Sequence, residues 1–144
     1  MRSSALVFFF LATVGLAVAD SEPVAFVLEG EDYEHDLSWE TTGNTEGIKR
    51  RLDTPFTGKW QIFYFCEIPK NKKQCGAWLD EKGNKVKGAN NKVKKTKIGA
   101  TVSKMTAADA GYYARVTPNP KENQEDTNGV RVSVAVKSEP PKQH

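Results

Sequence analysis

Ten lysines, Lys70, Lys72, Lys73, Lys82, Lys85, Lys87, Lys92, Lys94, Lys95 and Lys97, face only two acids, Asp80 and Glu81, across residues 70–97. Ammonium groups at that density can recruit an anion: a sulfated glycan, an anionic surface or an acidic protein face. Lysines on a strand edge also guard against strand-to-strand association, and both readings stand. Over residues 20–40 the sign reverses, with eight acids and no Lys or Arg, so a net charge of only +3 conceals a two-sided chain. Glu29, Glu31, Asp32, Glu34, His35 and Asp36 offer oxygens of the kind calcium takes. Alternate strand residues point to opposite faces, however, and no Asp-x-Asp-x-Asp-Gly loop occurs, so a solvated acidic edge is expected and no metal site.

Catalysis has little to work with. The histidines are His35 and His144, the cysteines are Cys66 and Cys75, and no Gly-x-Ser-x-Gly elbow is present. A cysteine pair in an oxidising compartment is expected to form a disulfide, which leaves no Cys–His nucleophile and base. The expectation is a non-enzyme without a cofactor.

The compartment is read from the start of the chain. Arg2 is followed by the apolar run 5–16 and then by Ala17-Val18-Ala19, which has the flanks and length of a secretory signal peptide over residues 1–19. About 20 apolar residues would be needed to span a bilayer, and this run is shorter. Cleavage after Ala19 would give a secreted, extracellular protein with no membrane insertion. Nucleic acid is not an expected partner there. Residues 138–144, with Pro140 and Pro141, read as a flexible tail.

The elements that must position these groups alternate with period two. Residues 23–30 and 32–39 read as strands, 41–58 as a loop broken by Gly43, Gly47, Pro55 and Gly58, and 59–68 as a central strand buried on both faces. After a turn at Pro69, residues 74–79 are expected to return antiparallel, so that a Cys66–Cys75 bridge would pin a hairpin. Residues 93–102 give one or two strands, 119–129 a polar loop, and Val130, Val132, Val134 and Val136 mark a last strand. About eight short strands imply an all-β sandwich or barrel.

One segment is more specific. Ala100-Thr101-Val102-Ser103-Lys104-Met105 followed by Asp109-Ala110-Gly111-Tyr112-Tyr113 resembles the E-strand, turn and F-strand signature of immunoglobulin domains. The resemblance implies an immunoglobulin-like antiparallel β-sandwich over residues 20–137, of I-set or V-set kind. It places Ala100, Val102 and Met105 in the core and makes Asp109, Gly111 and Tyr113 a tyrosine corner, with one helical turn near residues 106–108. Gly30 to Leu37 resembles the family's B-strand lead-in. At the positions of the inter-sheet cysteines the chain has Leu37 and Arg115, so that bridge is absent. Arg115 must then meet a carboxylate or be turned outward by a bulge. Trp60, Tyr64 and Phe65 compete for the place of the core tryptophan. An up-and-down barrel of lipocalin type is the competing architecture.

Such domains bind proteins, so the expected function is an extracellular binding module for a protein partner such as a cell-surface receptor. The rival is a polyanion-binding matrix protein that uses Lys70, Lys72, Lys73, Lys85, Lys87, Lys92, Lys94, Lys95 and Lys97 on a sulfated glycan.

Overall fold

The computed structural model describes residues 23–36, 45–118 and 129–136. The expected signal peptide, Leu37 and the expected tail lie outside them. Eight strands form two sheets: β1 (Val24–Leu28), β2 (Tyr33–Asp36), β3 (Gly47–Leu52), β4 (Gln61–Tyr64), β5 (Val93–Lys95), β6 (Gly99–Val102), β7 (Gly111–Val116) and β8 (Val130–Ala135). The larger sheet has the order β1-β8-β7-β3-β4 and the smaller β2-β6-β5; β1 runs parallel to β8, and every other pair is antiparallel. The fold is all-β and consistent with a β-sandwich.

Side chains from both sheets meet in one core. Ile48, Phe63, Tyr113 and Val132 come from the larger sheet and Tyr33, Ala100 and Val102 from the smaller, with Phe65, Trp78 and Met105 entering from connections. Ala100, Val102 and Met105 are fully buried, at the spacing expected of them. Trp78 is the tryptophan buried in this core, while Trp60 lies on the outer face of the larger sheet beside Tyr112. Of the three residues weighed for the core tryptophan's place, Phe65 is buried in the core alongside Trp78 and does not replace it.

Three expectations are corrected. Residues 41–58 are not one loop, because β3 runs through them between β4 and β7. Its Lys49-Arg50-Arg51 run is tolerated because each cation is covered by an aromatic ring. The supposed central strand 59–68 is the four-residue β4 at a sheet edge.

The third correction concerns the segment that carries the disulfide. Cys66 and Cys75 are bonded, but no hairpin of paired strands joins them. Pro69 has no N–H for a ladder and opens the 3-10 turn Pro69–Asn71. Buried Asn71 donates from Nδ2 to the carbonyls of Glu46 (3.0 Å) and Phe65 (3.3 Å), fixing the turn against β3 and β4. The return strand is reduced to single bridges, Tyr64 with Cys75 and Ile62 with Leu79.

Arg115 sits opposite Ile48 in unbroken register, so no bulge turns it outward; it keeps the face of Tyr113 and is half-buried.

Candidate functional site

The outer face of the larger sheet is built by alternation on β3. Ile48 and Arg50 point into the core, and Lys49 and Arg51 point out beneath Trp60. Lys49 Nζ lies 4.3 Å from the Trp60 ring, and the Arg51 guanidinium lies 4.8 Å from Trp60 and 5.9 Å from Tyr112. Cation–π attraction of this kind positions both the ring and the charge. Beside them an open groove of about 780 Å³ is bordered by Glu46, Arg51, Trp60, Tyr64, Glu81 and Thr117. Its rim carboxylates are held in place: Glu46 pairs with Lys70, and Glu81 accepts the Trp60 backbone N–H at 2.9 Å. Aromatic rings with an arginine in a preformed concavity can bind a protein surface through packing and planar hydrogen bonds.

Directly beneath lies a polar cluster that supports β3. Buried Arg50 donates from Nη1 to Asp109 Oδ1 (3.1 Å), Asn91 Oδ1 (3.2 Å) and the Tyr113 hydroxyl (3.3 Å), and from Nε to Gln61 Oε1 (2.9 Å). Its guanidinium stacks 3.9 Å from the Trp78 ring. Asp109 Oδ2 accepts from the Thr106 backbone N–H and hydroxyl and from Asn91 Nδ2, which closes the turn Ala107–Asp109. The Tyr113 hydroxyl donates to the Asp109 carbonyl oxygen at 2.6 Å, and a Cβ at Gly111 would collide with the Arg51 carbonyl oxygen. Asp109, Gly111 and Tyr113 are thus brought together. Burial pushes the Tyr113 hydroxyl pKa up to about 12, against the opposing pull of Arg50.

His35 is also fully buried. Its Nδ1 is 2.8 Å from the Tyr33 hydroxyl, and its Nε2 has no partner among the described residues. Burial lowers its pKa to about 4, with Asp36 opposing weakly, and burial likewise raises that of Tyr33.

The ten lysines are all exposed. Lys94 and Lys95 lie on β5, the rest on the connections between β4 and β6, so the lysines form no single pocket. Among the described residues no group of three or more His, Cys, Asp or Glu side chains is placed to hold a metal.

Sequence reasoning missed Arg50, Asn91 and Trp78. One signal was available: an Asp expected in a buried turn needs a cation, and Arg50 is the cation that meets it. Compared with family models, curated proteins and solved structures, the chain matches none of them.

Proposed function

We propose that this chain is a secreted immunoglobulin-like binding module, without catalytic activity, that engages a protein partner through the outer face of its larger sheet. The observation that carries the reading is the pairing of Arg51 with Trp60 and Tyr112 beside the groove. Arg, Trp and Tyr are the residues that most often dominate binding energy at protein interfaces.

Several features support the immunoglobulin-like assignment. Strands β8-β7-β3-β4 opposite β2-β6-β5 follow the order of a variable-type domain, with β2 as strand B, β3 as C, β4 as C′, β5 as D, β6 as E, β7 as F and β8 as G. The hydroxyl of Tyr113 bonds back to the turn before its own strand, the contact a tyrosine corner makes. Arg50, Asp109 and Trp78 occupy the core of a domain whose described residues hold no cysteine bridge between β2 and β7.

The test has two arms. Expression in secreting cells should release a chain whose N-terminus is Asp20. That chain, immobilised, should capture a discrete protein from extracellular extract in high salt, and Arg51→Glu or Tyr64→Ala should abolish capture without unfolding the domain. Capture unchanged by both substitutions would overturn the assignment of the face.

A further inference from the structure

Residues 82–97 lie outside the groove and carry seven of the lysines, and no Asp or Glu occurs from residue 82 to residue 108. The nearest acids in sequence are already engaged. Asp80 Oδ1 accepts the backbone N–H groups of Lys82 and Asn84, both at 2.9 Å, and Glu81 holds the Trp60 N–H. Asp109 is buried on Arg50. Among the described residues none of these seven lysines pairs with a carboxylate, whereas Lys70 is paired with Glu46.

The fold ties two interior points of this segment, Val86 and Asn91, to Trp78. The Val86 N–H donates to the Trp78 carbonyl at 2.9 Å, between Lys85 and Lys87. The Trp78 Nε1–H donates to the carbonyl of Asn91, immediately before Lys92, at 3.2 Å. Lys92 is then held beside the end of β6 by reciprocal bonds with Ser103, and β5 continues as an edge strand paired only with β6. Lys92 and Lys94 extend from one face of this strand and Lys95 from the other, and Lys97 stands in the turn 96–99 that leads into β6, so four ammonium groups cluster along one sheet edge.

We propose that this strip is a docking site for a linear sulfated glycan, separate from the sheet face. Fixed backbone beneath unpaired, exposed ammonium groups suits a flexible polyanion, which gains by releasing its counterions. A membrane surface fits less well, because the strip carries a single exposed large apolar residue, Ile98, and no aromatic to enter the headgroup layer.

The probe is a heparin-derived dodecasaccharide titrated against the intact mature protein at about 50, 100 and 200 mM salt. Binding should weaken steeply with salt. Replacing Lys92, Lys94, Lys95 and Lys97 together with Gln should reduce affinity about tenfold and flatten the salt dependence, and the four Arg replacements should retain it. Replacing Lys70, Lys72 and Lys73 with Gln removes nearly as much charge and should cost less than about threefold. The circular dichroism spectrum of each variant shows that the fold is kept. Absence of binding at about 50 mM salt, equal losses in the two Gln variants, or stronger retention on phosphatidylserine vesicles than on the glycan would each overturn the proposal. High-salt partner capture does not depend on the strip, so the two readings fail separately.

Discussion

Arg50 and His35 are both fully buried in this core, and they are accommodated by opposite means. Arg50 brings four acceptors and an aromatic ring with it, while His35 has one bonded nitrogen and one with nothing to bond among the described residues. A chain of contacts joins them: the Tyr33 ring meets His35 and Tyr113 edge-on, at 5.8 and 5.5 Å between centroids, and the Tyr113 hydroxyl accepts from Arg50. The difference lies in what each group can do with its charge. A guanidinium cannot be neutralised, so its burial requires a complete set of partners. An imidazole sheds its proton and enters the core neutral, at the cost of one unsatisfied nitrogen.

The comparison breaks most visibly at Asp109. Asp109→Ala removes the carboxylate from Arg50 and the cap from Thr106, and it should lower stability by about 3–5 kcal/mol, read as a shift in urea midpoint. A loss under about 1 kcal/mol would mean that Arg50 does not depend on its carboxylate. His35 is tested by pH. Above about pH 6.5 the ring is neutral in both folded and unfolded chains. Between about 6.5 and 4 the unfolded ring takes up a proton that the folded ring refuses, so stability falls as pH falls through that window, by about 3 kcal/mol at its acid end. His35→Gln should flatten this part of the profile while the carboxylate titrations persist. Identical slopes in the two proteins would remove His35 from the account.

A double Cys66→Ser, Cys75→Ser variant calibrates both effects, because the bridge touches neither group. It should lose about 2–3 kcal/mol at every pH and remain folded. Tyr113→Phe sharpens the picture at the smallest scale: losing the bond to the Asp109 carbonyl should cost about 1–2 kcal/mol. Tyr112→Phe should cost about 0.5–1 kcal/mol, since its half-buried hydroxyl accepts the Gly129 N–H at 2.9 Å. Equal losses would show that the position in the core adds nothing to the hydrogen bond.

Much of the fold was legible where local patterns and burial agree. The alternation of Ala100 and Val102 and the turn before Tyr113 could be read directly, because those residues serve one function each. The strand β3 could not. Ile48-Lys49-Arg50-Arg51 has the composition of a solvated loop, and only contacts with residues distant in sequence make it the most enclosed charged segment of the larger sheet. Strand 59–68 was overextended for the opposite reason: its apolar density continues past Tyr64, but Phe65 enters the core from a turn that Asn71 fixes. The sheet-face groove was hidden because Trp60 and Tyr112 are brought together only by pairing across β3.

The partners of Arg50 lie 11, 41, 59 and 63 residues away along the chain. The guanidinium can therefore leave water only after segments from β4, the approach to β5 and the start of β7 have arrived. The expected outcome for Asp109→Ala is faster unfolding with an almost unchanged folding rate, read from the two arms of a chevron plot. The cluster sets how long the domain persists once formed, more than how fast it forms.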